Sequence, residues 1–162
     1  MTPDGAEAAP DLGDIQSGET YIGYNEATNF VSPESVKVDA ARNYTAGRPA
    51  LNEWGLFGNW TVGPQEASLN QSSGCITYRF SARDLHLVLG PSANGKPVRF
   101  QVKIDGEAPG ESHGADIDAN GNGTVTETRL YQLVRQAGAV KERTFEVRFL
   151  DPGVEAFVFT FG

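Results

Sequence analysis

Hydrophobic and polar residues alternate along most of the chain after residue 20. A period of two fits an extended strand, in which successive side chains point to opposite faces of a sheet. The alternating hydrophobic positions, which we predict to form the core, are Ile76, Tyr78 and Phe80, then Leu85, Leu87 and Leu89, then Val98, Phe100, Val102 and Ile104, then Phe145, Val147 and Phe149, and finally Phe157, Phe159 and Phe161. The intervening residues, which we expect on the opposite face, include Arg79, His86, Arg99, Lys103, Glu146 and Arg148. A slip of one residue would exchange the two sets, so the register is strongly specified.

Segments with turn-forming residues separate these strands. They are 82–84, 91–96 and 151–153. About eight strands joined by such turns predict an all-β fold, a jelly-roll β-sandwich. Residues 128–138 are ambiguous, because Leu130, Leu133 and Val134 have helical spacing although the surrounding pattern suits a strand. We expect a strand there.

The composition limits the partners of the domain. The 162 residues include 13 Lys and Arg against 21 Asp and Glu, and the resulting net charge of −8 opposes contact with nucleic acid or with an anionic membrane. No apolar run is long enough to predict a membrane-spanning helix, and no signal peptide is visible. Residues 1–19 are rich in Ala, Pro, Gly and acids and lack periodicity, which is typical of a flexible linker. We therefore expect the sandwich to cover residues 20–162, as the C-terminal domain of a longer protein.

Five segments of the chain resemble the C-terminal domain of DipZ-type proteins of the thioredoxin family. The segments are Glu19–Tyr24, Leu51–Trp60, Phe80–Leu85, Tyr131–Arg135 and Phe149–Gly162. The resemblance implies a jelly roll similar to carbohydrate-binding modules, placed after a TlpA-like thioredoxin domain in the bacterial periplasm or outside the cell. It also implies that any redox chemistry uses a CxxC pair in that upstream domain, because this chain has one cysteine. We therefore expect no enzymatic activity from the chain itself.

Aromatic residues suggest a ligand site, because a flat ring can stack on the apolar face of a sugar while its polar edge stays hydrated. The sugar-binding hypothesis places a cleft among Trp54, Trp60, Tyr131, Arg135 and His113, with Trp60 or Tyr131 as the stacking platform. The alternative is that these aromatic residues belong to the core. Tyr21, Tyr24 and Tyr44 are further tyrosines of the same type.

Residues 116–127 match the spacing of a calcium-binding loop. The oxygen ligands would be Asp116, Asp118, Asn120, Asn122 and Glu127. The preceding segment, Pro109–Gly114, is unsuited to the entering helix of an EF-hand, and Asp, Asn and Gly are also common in long turns. Calcium binding and turn formation therefore remain alternative interpretations, and calcium is the only cofactor that the sequence suggests.

Other reactive groups give weaker signals. Cys75 lies in an alternating stretch and is interpreted as a structural thiol. Ser112, His113 and Asp116 supply the residue types of a hydrolase, but a short loop of this composition brings them together by chance, and we predict no catalytic residue. The sequence thus leaves three functions to compare: an accessory domain that binds carbohydrate or a polypeptide client, a structural domain that packs on an upstream thioredoxin-like domain, and a calcium-stabilised module.

Overall fold

The computed structural model describes residues 15–162, which form eleven β-strands and one short 3₁₀ helix. The strands are β1 (Thr20–Tyr21), β2 (Ala41–Tyr44), β3 (Trp54–Val62), β4 (Ala67–Leu69), β5 (Gly74–Phe80), β6 (Asp84–Gly90), β7 (Val98–Ile104), β8 (Asn122–Val125), β9 (Arg129–Arg135), β10 (Arg143–Phe149) and β11 (Glu155–Phe161); the 3₁₀ helix is Gly110–Ser112. All pairings between these strands are antiparallel. Within residues 15–162 no helix has the length and apolar character needed to cross a bilayer.

The strands form two layers that share β3. One layer has the order β8-β7-β10-β5-β3, and the other has β2-β3-β4-β11-β6-β9 with β1 beside β11. The first half of β3 pairs with β5 and its second half pairs with β2 and β4. The change occurs at Gly58, whose φ of 101° is unfavourable for any residue with a side chain. This bend lets one strand close the edge between the two layers.

Aromatic rings from the two layers meet in the core. Tyr78 of β5 lies with its ring centroid 4.8 Å from that of Phe159 in β11, and Phe145 of β10 lies 5.9 Å from the same ring. Phe100 of β7 and Tyr131 of β9 approach to 6.4 Å. These contacts show that the inner faces of the two layers pack against each other, as in a β-sandwich.

The predicted fold class and most of the predicted core are confirmed. The predicted hydrophobic positions of β5, β6, β7 and β10 are all at most 3% exposed. The ambiguous segment forms strand β9, in which Leu133 and Val134 are buried and Leu130 is 40% exposed. This segment forms a strand rather than a helix because its backbone pairs with β6 from Asp84 to Leu89.

The last strand differs from its predicted alternation. Phe159 is fully buried, but Phe157 and Phe161 are only half-buried. The pairing of β11 with β6 shifts between Ala156 and Val158, so Phe157 is an extra residue in a β-bulge. The bulge removes Phe157 from the inward-facing set, and this has a direct consequence for the candidate site.

The predicted linker, residues 1–19, overlaps the described residues only at 15–19. Residues 1–14 of the predicted linker lie outside the described residues. Ser17, near the end of that linker, is 2% exposed, and its hydroxyl donates to Asn52 Oδ1 and accepts from the Ser81 backbone N–H. Packing on the sandwich therefore includes residues just before β1.

Candidate ligand-binding groove

A groove of about 360 Å³ lies beside strands β1 and β11. Its lining residues are Tyr21, Asn25, Glu26, Pro64, Gln65, Phe157 and Val158, and we call it the Tyr21–Phe157 groove. Its size is in the lower part of the range for small-molecule sites, about 300 to 1,000 Å³. Three separate parts of the chain build it: the segment that follows β1, the turn between β3 and β4, and the bulge in β11.

Backbone contacts hold these three parts together. Tyr21 pairs with Val158, and the Ile22 N–H donates to the Phe157 carbonyl at 2.9 Å. The segment after β1 continues over the β3–β4 turn, where the Tyr24 N–H donates to the Gly63 carbonyl. Gly23 packs so closely on the backbone of Gln65 that any side chain would collide with it. The floor of the groove is therefore fixed by backbone rather than by long side chains.

The groove combines apolar and polar surface. Tyr21, Phe157 and Val158 are half-buried and supply the apolar part. Asn25, Glu26 and Gln65 are exposed at its polar side. Each amide offers both donors and an acceptor, whereas an ionised carboxylate only accepts. This set can hold a ligand that has one apolar face and several hydroxyl or amine groups.

Nearby carboxylates act on Tyr21. Its hydroxyl donates to Glu19 Oε1 at 2.7 Å. This hydrogen bond, followed by the negative charges of Glu19 and Glu26, raises the pKa of Tyr21 above its usual value. The phenol therefore stays neutral at physiological pH, and its ring is oriented by the Glu19 carboxylate.

The predicted aromatic platform is wrong, because its rings are in the core. Trp54, Trp60 and Tyr131 are each at most 1% exposed. The indole N–H of Trp54 donates to the Thr28 carbonyl, and that of Trp60 donates to the Phe57 carbonyl, both at 2.8 Å. These positions point inward on their strands, and burial of the apolar rings stabilises the folded state.

Tyr131 has a structural role at the end of β9. Its hydroxyl donates to the Glu127 carbonyl at 2.7 Å and accepts from the N–H groups of Thr126 and Glu127. The Arg129 guanidinium covers the ring, 3.8 Å from its centroid. No face of this ring is available for a sugar.

The two polar members of the predicted cleft also have other partners. Arg135 donates to Asp84 Oδ1 at 3.1 Å, and Asp84 is a buried carboxylate that Arg83 contacts as well. His113 forms a β-bridge with Val134, and its Nδ1 lies 2.8 Å from the Gly114 carbonyl. The structure therefore brings Arg135 and His113 to the edge of β9 but does not form the predicted cleft with Trp54 and Trp60.

The residues of the calcium-like loop are engaged in turn formation. Asp118 Oδ1 accepts from the N–H groups of Asn120 and Asn122. Asp116 accepts from the Arg129 guanidinium at 2.8 Å and from the Gln132 N–H at 2.7 Å. Glu127 is exposed and contacts Arg129 at 3.4 Å. Over residues 15–162 no cluster of three or more His, Cys, Asp and Glu side chains is close enough to hold a metal ion.

This geometry does not fit the calcium site proposed from the spacing. The Arg129 guanidinium already neutralises Asp116, and a second cation at the same carboxylate would be repelled by it. The D-x-D-x-N-G spacing is explained by the tight turn, in which Gly121 has a φ of 90°. A calcium ion at Asp116 would have to share this carboxylate with the Arg129 guanidinium or displace it.

The other reactive side chains are also held by structural contacts. Ser112 Oγ accepts from the Ala137 N–H, and so Ser112, His113 and Asp116 each have different partners. Cys75 is 2% exposed. Burial, followed by the charge of Glu146, raises the pKa of its thiol to about 11. A protonated, buried thiol is a poor nucleophile.

Comparisons with known proteins place the chain in a family. The family described as "Thioredoxin like C-terminal domain" matches residues 17–162. The chain belongs to this family. Among curated proteins, none matches the chain significantly.

One solved structure similar to this thioredoxin-like C-terminal domain is a family two carbohydrate esterase from Clostridium thermocellum, determined in complex with cellohexaose. The two are 17% identical, with a TM-score of 0.47, over 61% of this chain. The match spans only 27% of the esterase chain. Similarity at this level carries no information about a ligand of this domain.

Sequence reasoning missed most of the groove in this family member. Tyr21 is one of several tyrosines of the same type in the sequence, and the alternation of Phe157 with Phe159 predicts that Phe157 lies in the core. Asn25, Glu26 and Gln65 lie in short connecting segments without a motif. The Tyr24–Gly63 hydrogen bond brings these residues together, and the pairing of β1 with β11 and the β-bulge add Tyr21 and Phe157.

Proposed function

We propose that this domain is the non-catalytic accessory part of a thioredoxin-family thiol–disulfide oxidoreductase, and that it binds a carbohydrate in the Tyr21–Phe157 groove. The oxidoreductase would carry its CxxC pair in an upstream thioredoxin-like domain, in the periplasm or outside the cell. Membership of the thioredoxin-like C-terminal domain family supports this context. The observation that carries the ligand proposal is the groove itself, in which two half-buried aromatic side chains lie beside two amides and a carboxylate.

The chemistry of a sugar ring matches this surface. One face of a pyranose presents C–H groups, which pack well on an aromatic ring, and its edge presents hydroxyls. Tyr21 and Phe157 supply the rings, and Asn25 and Gln65 supply donors and acceptors for the hydroxyls. A polypeptide client would instead be expected to use an exposed strand edge or an extended apolar groove. The short, mixed groove therefore favours carbohydrate over polypeptide.

The same groove supports binding without turnover. Among its lining residues only Glu26 has a carboxylate. Hydrolysis of a glycosidic bond ordinarily needs two carboxyl groups at a defined separation across the bond. Cys75, with its buried and protonated thiol, adds no redox chemistry. Any thiol–disulfide exchange would then belong to the upstream domain.

The proposal can be tested by two-dimensional ¹H–¹⁵N NMR titration with cello-oligosaccharides, chito-oligosaccharides and soluble peptidoglycan fragments. Tryptophan fluorescence is a poor reporter, because both tryptophans are in the core. We expect saturable shifts of the amide signals of Asn25, Glu26 and Gln65 with at least one sugar. The absence of any saturable shift at millimolar sugar would remove carbohydrate binding and leave the structural or client-binding functions.

A matched pair of variants separates stacking from general effects. Phe157→Ala removes one ring of the groove, and we expect binding to weaken about tenfold, which is about 1.4 kcal/mol. Phe57→Ala is the control, because Phe57 is 45% exposed on β3 and is not part of the groove. Equal losses in both variants, measured by calorimetry on folded protein, would contradict a specific role of the groove.

A further inference from the structure

Negatively charged side chains lie in and next to the Tyr21–Phe157 groove. Glu26 lines the groove, and Glu19 is hydrogen-bonded to the Tyr21 hydroxyl. Two more carboxylates are close in the chain to lining residues: Glu66 follows Gln65, and Glu155 precedes Phe157 by two residues on β11. The lining residues include no Lys, Arg or His.

These four glutamates lack cationic partners within the part of the chain that the structure describes. None of the ion pairs formed by residues 15–162 includes Glu19, Glu26, Glu66 or Glu155. Elsewhere on the sandwich several carboxylates are paired, for example Asp105 with Arg143 and Asp151 with Arg99. The groove thus differs from those parts of the surface, where a basic side chain lies beside the acid.

The titration of two groups reflects this negative potential. Tyr21 has a raised pKa, first through its hydrogen bond to Glu19 and then through the charges of Glu19 and Glu26. Glu155 also has a raised pKa, first because it is partly buried and then because of the Glu66 charge. Tyr21 is harder to ionise mainly because of the Glu19 carboxylate, whereas Glu155 is harder to ionise mainly because it is partly buried.

We propose that the groove selects a sugar with a protonated amino group, such as a glucosamine unit, over neutral and anionic sugars. This inference rests on the proposed function and adds the charge of its ligand. An ammonium group would donate a charge-assisted hydrogen bond to the Glu26 carboxylate. It would also be attracted to the face of the Tyr21 or Phe157 ring. A sugar acid or phosphorylated sugar would meet the Glu26 carboxylate, with the Glu19 carboxylate beside Tyr21 and no cation among the lining residues.

The test compares three trisaccharides that differ at one position of each ring: the glucosamine trimer, its fully N-acetylated form and cellotriose. Binding is measured by calorimetry at about pH 6, where a sugar amine is protonated. At low salt we expect the glucosamine trimer to bind at least about tenfold more tightly than the other two. High salt should reduce this preference, because exposed charges are screened.

Charge variants identify the source of the preference. Glu26→Gln keeps the shape of the side chain and should reduce the preference for the glucosamine trimer about fivefold. Glu107→Gln is the control, because Glu107 is an exposed carboxylate that forms none of the ion pairs and does not line the groove. It should leave the preference unchanged.

The outcomes distinguish the two proposals. Equal binding of all three trisaccharides in the groove would overturn the cationic inference and keep the carbohydrate-binding function. No binding of any sugar would overturn the proposed function itself. If a lysine tripeptide shifts the amides of Asn25, Glu26 and Gln65 while no sugar does, the ligand is a cationic polypeptide and both carbohydrate statements are overturned. A loss of preference only in Glu26→Gln supports the inference.

Discussion

Removal of the Tyr131 hydroxyl tests whether this residue belongs to the core or to a binding surface. This hydroxyl stabilises the turn between β8 and β9. It donates to the Glu127 carbonyl at 2.7 Å and accepts from the Thr126 and Glu127 N–H groups at 3.1 and 3.3 Å. Tyr131→Phe deletes these three contacts. It leaves the ring, its packing on Phe100 and the covering Arg129 in place.

The expected cost follows from these contacts. A net hydrogen bond contributes about 0.5–1.5 kcal/mol, and a buried group left without a partner costs about 1–3 kcal/mol. Tyr131 itself is buried, but residues 126–128 are exposed, so water can reach part of the freed backbone. We therefore expect the free energy of unfolding to fall by about 2 kcal/mol. For a domain of this size that corresponds to a decrease in Tm of about 4–8 °C.

Urea unfolding and calorimetry would measure this change, with Tyr24→Phe as the control. The Tyr24 hydroxyl donates only to the exposed Asp39, so its removal should change stability by less than about 0.5 kcal/mol. Hydrogen exchange should also become faster at the Thr126 and Glu127 amides. If Tyr131→Phe instead abolished sugar binding without changing stability, Tyr131 would act at the surface and the assignment to the core would be refuted.

Three further predictions follow from the charges and the thiol. Arg99 holds the pKa of Asp151 down to about 2. This pair therefore stabilises the fold above the unfolded pKa of the carboxyl, near 3.8, and its contribution is lost as the pH falls toward 2. Arg99→Gln should move the NMR titration of Asp151 back toward 3.8. Cys75, with a pKa of about 11, should resist a thiol reagent at about pH 8 in the folded protein and react fully in denaturant, and rapid reaction of folded protein would contradict its burial. Asp116→Asn should lower the free energy of unfolding by about 1 kcal/mol equally in calcium and in chelator, because the partner of Asp116 is Arg129. A loss of stability confined to calcium would instead support a metal site.

The groove and the rejected cleft show why site prediction is harder than fold prediction. Alternation correctly assigned strands such as β5 and β7, because a residue's face in a strand depends only on local geometry. The same reasoning placed Phe157 inward, and it had no means of detecting the bulge, which depends on the partner strand β6. Similarly, nothing in the local sequence distinguishes Trp60, which is buried, from a tryptophan that faces a ligand.

The spacing of residues 116–127 also has two structural interpretations that the sequence does not separate. Asp, Asn and Gly at these intervals fit both a calcium loop and a tight turn, and the sequence alone left both open. Arg129, which neutralises Asp116, follows the motif by two residues, but its contact depends on Asp116 lying along β9, where its backbone N–H donates to the Gln132 carbonyl. The partner of Asp116 in the structure is therefore set outside the motif.

The amino-acid sequence by itself determined the all-β class, most of the strands, most of the core, and the absence of a second cysteine. These properties depend on the period of hydrophobic residues and on composition, which are local or additive. Tertiary structure alone decided that β3 joins both layers, that Phe157 leaves the core, and that Tyr21, Gln65 and Phe157 meet in one groove. The physical reason is that strand pairing brings together residues distant in the chain, and a shift of one residue in that pairing decides which side chains face solvent.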